Sequence, residues 1–195
     1  MKKIFCFFAF ILMFATVCFA AEENPTLRVG LYYAEDAMPS ANLQVTNGKG
    51  YRLGFHDSKL TFIQLYYTDA AKITMTNDMN IWYSNNKFYT SGAPSGAKLL
   101  GAYHIECISQ YSTLEAAKSS LAGFSAKGYQ GFVAYVNGSY RVRLGSYSTI
   151  EEAKALQAQI GGNVVGNSKT AVSVYNTDNG NIIFERNIYH LFWSK

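Results

Sequence analysis

The sequence predicts an α+β protein, and three observations lead to that class. Residues 140–144 alternate apolar and polar side chains, as a half-buried strand does. Residues 150–160 then carry apolar side chains at helical spacing, behind a pair of candidate N-cap hydroxyls. The same wording occurs earlier in the chain, because residues 111–118 read YSTLEAAK where residues 147–154 read YSTIEEAK. The chain therefore contains an internal repeat of a strand followed by a helix.

The segments around the two copies complete the order of elements. Residues 128–136 read as a strand, and Asn137 and Gly138 are a strong signal for a two-residue hairpin into the next strand. After the second helix, residues 163–165 and 170–175 can each supply a strand. The predicted order is β-α-β-β-α-β.

This order and these residues resemble the SPOR domain, the sporulation-related repeat, over residues 101–175. The stretch YRVRLGSY at residues 140–147 fits the family pattern Tyr-Arg-Val-x-x-Gly. In the first copy Glu106 stands where the family prefers Gln, and Ile108 where it prefers Gly. The resemblance implies a ferredoxin-like β-α-β-β-α-β domain that folds alone and binds peptidoglycan, preferentially glycan strands stripped of stem peptides.

The first twenty residues predict a secretory signal peptide, residues 1–20. Two lysines precede an apolar run from Ile4 to Phe19, and Ala20 stands before the expected cleavage point. The alternative is an uncleaved membrane anchor, because the run is close to the shortest that spans a bilayer. Cleavage predicts a secreted, cell-wall associated protein, with any membrane contact made only through an uncleaved segment.

The rest of the chain divides into four predicted parts. Residues 26–90 form a small β-rich module, residues 91–99 a Gly- and Ser-rich linker, and residues 100–176 the SPOR domain. Residues 177–195 form a C-terminal hairpin or tail, whose aromatic end is either a short edge strand or the end of a truncated product. The predicted strands of the first module are residues 27–33, 42–45, 50–56, 60–66, 72–75 and 79–84.

Two stretches of the β-rich module carry a second resemblance. LRVGL at residues 27–31 and GYRLG at residues 50–54 resemble the opening of the stage II sporulation protein D family of amidase enhancers and lytic transglycosylases. The chain ends where that family continues into its catalytic region, so we expect the catalytic half to be missing. The alternative function is therefore a truncated or accessory member of that family.

Composition and charge argue against a nucleic-acid partner. The formal charge is +4, and removal of Lys2 and Lys3 with the signal peptide leaves 15 basic against 13 acidic side chains. That balance lacks the basic surplus of a nucleic-acid-binding domain. An RNA-binding sheet of the same topology would also need an aromatic ribonucleoprotein signature, which the sequence does not have.

Candidate catalytic and metal-ligating residues have simpler interpretations. His56, His104 and His190 lie far apart, and none has a second ligand type one helical turn away, so we expect no metal and no cofactor. The four glutamates of the repeats read as one sheet-face residue and three helix-start charges, so no acid and base pair for glycan cleavage is formed. These glutamates are Glu106, Glu115, Glu151 and Glu152. The sequence predicts a protein that is not an enzyme.

Cleavage of the signal peptide would leave Cys107 as the only cysteine, which excludes an intramolecular disulfide. Cys107 shares strand parity with Ile105, so we expect a buried structural thiol. Oligomeric state is not indicated by any pattern in the chain.

Strand parity predicts an open sheet face opposite the helices. The helix side is expected to take Ile105, Cys107, Phe132, Ala134, Val136, Val142 and Leu144. The open side is expected to take His104, Glu106, Tyr129, Val133, Tyr135, Arg141 and Arg143. Tyrosine rings pack on sugar C–H faces, and carboxylate and guanidinium groups hydrogen-bond hydroxyl and N-acetyl groups; the alternative is an ordinary solvated face. Together with the resemblance, this predicts glycan contacts at Glu106, Ser109, Val133, Tyr135, Arg141 and Arg143.

Overall fold

A computed structural model describes residues 40–168 and 171–187 of the chain, and the described part is an α+β structure, as predicted. The strands are β1 Ser40–Gln44, β2 Tyr51–His56, β3 Phe62–Thr68, β4 Lys72–Asn77, β5 Ile81–Ser84, β6 Lys87–Tyr89, β7 Lys98–Leu100, β8 Tyr103–Tyr111, β9 Gly131–Val136, β10 Ser139–Tyr147, β11 Asn163–Gly166, β12 Ala171–Asn176 and β13 Ile182–Asn187. The helices are α1 Leu114–Ser125 and α2 Ile150–Ile160. The predicted signal peptide, the predicted strand at residues 27–33 and residues 188–195 lie outside the described residues. No helix among the described residues is long and apolar enough to cross a membrane.

Both helices start where the repeat predicts, at equivalent threonines. The Thr113 hydroxyl accepts a hydrogen bond from the backbone N–H of Ala116 at 3.2 Å, and the Thr149 hydroxyl accepts one from Glu152 at 3.2 Å. At α2 the Glu152 carboxylate also accepts from the backbone N–H of Thr149, which completes a capping box. These bonds satisfy N–H groups that have no partner inside the helix.

Eight strands form one mixed sheet in the order β1-β4-β12-β13-β9-β10-β8-β11. The four strands of the repeat are neighbours in it, in the order β9-β10-β8-β11, and all three of their pairings are antiparallel. β13 pairs with β9 in parallel and with β12 antiparallel. The repeat thus supplies one half of a larger sheet.

The last described strand follows the predicted turn and forms an antiparallel hairpin with β12. β13 lies between β12 and β9 in the middle of the eight-stranded sheet. Its Phe184 and Glu185 are 2% and 1% exposed, so this strand belongs to the core. The turn before it, at residues 177–180, lies where the sequence predicts.

Strands on both sides of the predicted linker belong to the same sheet. β1 and β4, from the predicted β-rich module, extend the sheet beyond β12. The end of the predicted linker is itself strand β7, which pairs with β5 in a small sheet of order β6-β5-β7. The predicted boundaries therefore do not separate independent sheets, and independent folding of residues 101–175 stays a prediction.

The β9–β10 hairpin fixes which side chains share a face, and it corrects the predicted parity of β9. Asn137 and Gly138 have φ of 49° and 80°, the left-handed values that a two-residue hairpin turn requires. The turn pairs Val136 with Ser139, so Tyr135 lies opposite Tyr140, and Val133 opposite Val142.

As a consequence, the residues of β9 face the opposite sides of the sheet from those that strand parity predicted. Val133 packs with Ala117 of α1 and with Tyr140, and we call this side of the sheet the helix face. Phe132 pairs with Arg143 and Ala134 with Arg141 on the opposite side, which we call the charged face. Phe132 and Ala134 were expected beneath the helices, and Val133 and Tyr135 on the open side; both expectations are wrong.

The remaining elements cover both faces of the sheet. The β2–β3 hairpin packs on the helix face, where Leu65 joins a buried cluster with Ile73, Val174 and Phe184. The Tyr140 hydroxyl donates to the Leu65 carbonyl at 2.9 Å, which ties the hairpin to β10. The small sheet β6-β5-β7 packs through Ile81 and Leu100 against Tyr175.

Candidate functional site

Arg143 is the centre of a buried charge network on the charged face. Its Nε and Nη2 donate to Oε2 of Glu106 at 3.0 and 2.8 Å, and its Nη1 donates to Oε1 of Glu185. The register explains the first pair, because Arg143 and Glu106 are direct partners in β10 and β8. Arg143 is 7% exposed, so its guanidinium is occupied by protein carboxylates and is not available to a glycan.

The network is strongly perturbed by its burial. Burial disfavours the charged form of Arg143, but the carboxylates of Glu185 and Glu106 outweigh it and hold its pKa above the ordinary value. Burial raises the pKa of Glu185 to about 7, and the Asp78 and Glu106 charges add to that rise while Arg143 opposes it. The cluster therefore holds more carboxylate groups than Arg143 alone can neutralise.

The predicted glycan contacts divide between the two faces. Glu106 and Arg141 lie together on the charged face, with side chains 14% and 16% exposed and 4.0 Å between Arg141 Nη1 and Glu106 Oε1. Ser109 is exposed in β8. Val133 is 1% exposed, and Tyr135, half-buried, packs edge-to-face on Tyr140, so both lie on the helix face. The structure thus brings Glu106, Arg141 and the buried Arg143 together and separates them from Val133 and Tyr135.

His104 was also expected on the open surface, and it is 1% exposed. Its Nδ1 lies 2.7 Å from the Gly145 carbonyl, and its ring packs edge-on against Phe132. Burial lowers the pKa of His104 to about 4, so the ring is neutral at physiological pH and its Nδ1–H donates to that carbonyl.

An exposed row of polar groups crosses three strands beside the network. Asn163 of β11 pairs with Glu106 of β8, and Gln110 of β8 pairs with Arg141 of β10. Asn163 and Gln110 are exposed, while Glu106 and Arg141 are partly exposed. We call these four residues the polar strip.

Sequence reasoning missed Gln110 and Asn163, and Gln110 lies at the end of an irregular stretch of β8. Arg141 and Arg143 are two residues apart, but their partners Gln110 and Glu106 are four apart. Such a bulge is a local departure that the alternation of side chains does not reveal. The exposed Ile108 lies inside it, at the position where the family prefers glycine.

Cys107 lies in the same irregular stretch and is half-buried, whereas full burial was expected. Burial and the neighbouring Glu106 charge both raise the pKa of its thiol. The thiolate is therefore disfavoured, and Cys107 has none of the features of an activated nucleophile.

Apart from the polar strip, a concave site lies between α2 and the segment that precedes β9. It is a groove of about 460 Å³, within the size range of small-ligand sites. Its lining residues are Gly128, Tyr129, Gln130, Gly145, Ser146, Tyr147, Glu152, Ala155, Leu156 and Gln159. Two tyrosines with exposed amide and hydroxyl groups are side chains that can contact a sugar.

Comparison with curated proteins and with solved structures finds no match. The resemblance of residues 27–31 and 50–54 to the stage II sporulation protein D family stays a prediction. One family model matches the chain, and it begins at the end of β7 and ends inside β12. That match is to the SPOR domain, over residues 100–173, the segment that contains the internal repeat and the whole polar strip.

Proposed function

We propose that this chain is a non-catalytic peptidoglycan-binding protein of the cell wall that acts in division or sporulation and docks on glycan strands. The observation that carries the proposal is the match of residues 100–173 to the SPOR domain. SPOR domains are non-catalytic modules that bind peptidoglycan. The position of the polar strip within that segment supports the same function.

The polar strip offers the chemistry that a glycan strand needs. Glu106 accepts hydrogen bonds, Arg141 donates them, and the amides of Gln110 and Asn163 do both. Three neighbouring strands span about 10 Å, which is room for about two sugar rings. Hydroxyl and N-acetyl groups of an amino-sugar chain would meet donors and acceptors in turn along this row.

Arg143 has a supporting role in this proposal. It holds Oε2 of Glu106 through two hydrogen bonds and leaves Oε1 on the side of Arg141. A carboxylate fixed in this way loses little side-chain entropy when it binds a ligand. Arg143 is therefore a positioning residue, whereas Arg141 and Glu106 contact the glycan.

The groove lined by Tyr129 and Tyr147 is a second place where sugar could bind. It has the aromatic surface that the polar strip lacks, but it lies beside α2 and contains none of the residues that the family resemblance indicates. We therefore assign the glycan to the polar strip and use a groove variant to distinguish the two.

The proposal is tested by cosedimentation with purified sacculi. The double change Gln110→Ala and Arg141→Ala removes two strip contacts, and we expect binding to weaken about tenfold or more, since two hydrogen bonds, one of them charged, are lost. Arg52→Ala, an exposed arginine in β2, is the charge-matched control and is expected to bind as the unchanged chain does. Equal binding by the double variant and the control would exclude the polar strip, and a loss confined to Tyr129→Ala would place the glycan in the groove.

Secretion is part of the same proposal and has its own test. We propose that residues 1–20 are removed during export, so that the wall-bound protein begins at Ala21. Mass spectrometry of protein extracted from the wall fraction measures this directly. A chain that retains Met1 and is recovered with membranes would show an uncleaved anchor.

A further inference from the structure

Three buried side chains converge on the charged face, outside the polar strip. They are Asp78, directly after β4, His104 in β8 and Glu185 in β13, with exposures of 2%, 1% and 1%. One ligand-type atom from each lies within 4.8 Å of the other two. His104 Nε2 and Glu185 Oε2 are 3.9 Å apart.

Each of the three side chains is held by one polar atom and leaves another without a partner. His104 is held through Nδ1 by the Gly145 carbonyl, Asp78 through Oδ2 by the backbone N–H of Ser168 at 2.8 Å, and Glu185 through Oε1 by Arg143. The atoms that remain have no hydrogen-bond partner among the described residues. They are His104 Nε2, Asp78 Oδ1 and Glu185 Oε2.

Three unsatisfied buried atoms in one place are costly for a folded protein. A buried donor or acceptor without a partner costs about 1–3 kcal/mol, and more if it is charged. Native structures leave few such atoms, and a bound ion or water is one explanation for those that occur. All three atoms here can be acceptors, because His104 donates its Nδ1–H to the Gly145 carbonyl and its neutral ring then has a lone pair on Nε2.

Among the described residues, the carboxyl groups of this region outnumber the cations beside them. The three carboxyl groups are Asp78, Glu106 and Glu185, and the two cations are Arg143 and the partly exposed Arg141. A bound divalent ion would offset the excess negative charge.

We propose that Asp78 Oδ1, His104 Nε2 and Glu185 Oε2 bind one divalent transition-metal ion, with Zn²⁺ as the best fit. One imidazole with two carboxylates suits Zn²⁺, Mn²⁺ or Fe²⁺ better than Mg²⁺ or Ca²⁺, which prefer oxygen alone. Zinc bonds of about 2.0–2.2 Å in a tetrahedron place ligand atoms about 3.3 Å apart. The three atoms lie within 4.8 Å of one another, so binding requires them to move closer together.

The surroundings of the three atoms fit the same proposal. Metal-bound histidines usually donate their other ring N–H to a carbonyl or carboxylate, and His104 donates to Gly145. Ligating carboxylates are in turn hydrogen-bonded, as Glu185 is to Arg143 and Asp78 to Ser168. These contacts set the direction in which each ligand atom points.

The role of such an ion follows from where its ligands come from. β4, β8 and β13 are distant in the sequence, and they belong to the predicted β-rich module, the SPOR segment and the C-terminal hairpin. One ion would therefore tie three parts of the chain together, a structural role that goes beyond glycan binding. The isolated histidines gave no sign of it, because each ligand comes from a different segment.

The test uses the full chain after signal cleavage, purified without a histidine tag. The protein is stripped with a chelator and titrated with Zn²⁺, Mn²⁺ and Mg²⁺, while metal content is measured by mass spectrometry and stability by a melting curve. We expect about one zinc ion per chain, a higher melting temperature with Zn²⁺, and no effect of Mg²⁺. Zinc that neither binds nor raises the melting temperature would overturn the proposal.

Variants locate the ion and keep the test decisive. Asp78→Asn and His104→Gln each remove a ligand and are expected to abolish zinc binding at micromolar concentrations, while His56→Gln, outside the cluster, should bind as the unchanged chain does. If the ligand variants fail to fold, the absorption spectrum of the unchanged chain loaded with Co²⁺ replaces them. Visible bands typical of tetrahedral nitrogen and oxygen ligation support the site, and an octahedral aqueous spectrum overturns it.

Discussion

Arg143 in β10 and Glu185 in β13 form a buried ion pair that reaches across the intervening strand β9. Arg143 lies inside the segment that matches the SPOR domain, and Glu185 lies beyond its end. The pair therefore joins the repeat to a strand that the family model does not include. Removing one partner of a buried ion pair leaves the other uncompensated, so this contact has a measurable cost.

Loss of the Glu185 carboxylate should strongly destabilise the chain. We expect Glu185→Ala to lower the free energy of unfolding by about 3–5 kcal/mol, because a buried guanidinium loses one of its two partners. Glu151→Ala removes an exposed carboxylate at the start of α2 and is the matched control, with an expected loss below about 1 kcal/mol. Urea denaturation of both variants makes the comparison, and equal midpoints would show that the pair contributes nothing.

The position of β13 predicts how fragments of the chain behave. A fragment of residues 100–176 lacks β13, so β9 becomes an unpaired edge strand and Arg143 loses Glu185. We expect a fragment of residues 100–187 to unfold at a higher urea concentration and to aggregate less. Equal stability of the two fragments would show that residues 100–176 fold alone, as the family resemblance implies.

The bond between Tyr140 and Leu65 predicts the cost of detaching the β2–β3 hairpin. Tyr140→Phe keeps the ring but leaves the buried Leu65 carbonyl without its donor, and we expect a loss of about 1–2 kcal/mol. Tyr129→Phe, a partly exposed tyrosine in the groove, is the control and should change stability little. Chemical denaturation distinguishes the two, and no difference would mean that water replaces the bond.

The equivalent caps of the two helices predict similar stability effects. Thr113→Ala and Thr149→Ala each remove a hydroxyl that accepts a helix N–H, with an expected cost of about 1 kcal/mol. Thr149 belongs to a capping box, so Thr149→Ala should lower the stability more than Thr113→Ala does. Ser112→Ala, next to the first cap, is the control, because it removes an exposed hydroxyl that is not a cap. If it lowers the stability as much as either cap variant does, Thr113 and Thr149 do not stabilise the helices as caps.

The repeat, the helix starts and the Asn-Gly hairpin could be predicted from the sequence because each is a local pattern with a local cause. The parity of β9 was harder, since Phe132, Val133 and Ala134 are all buried and a strand buried on both faces shows no alternation. The hairpin register was the available signal, because a two-residue turn sets Tyr135 opposite Tyr140.

The central position of β13 and the burial of Arg143 had no local signal. Both depend on pairing between segments far apart in the sequence, and an arginine in a strand is ordinarily exposed. Arg143 is buried because Glu106 and Glu185 meet it from two other strands. The burial of Arg143 and the parity of β9 leave Glu106 and Arg141 as the predicted glycan contacts that belong to the polar strip.

Cosedimentation of the unchanged chain with sacculi, before and after an amidase strips the stem peptides, tests the proposed function most directly. If the protein binds glycan strands, stripping exposes more of its ligand, and the bound fraction should rise. A melting curve of the same preparation confirms that the protein is folded. The account predicts binding that strengthens on stripping, and a folded protein that binds neither form of the sacculi would contradict it.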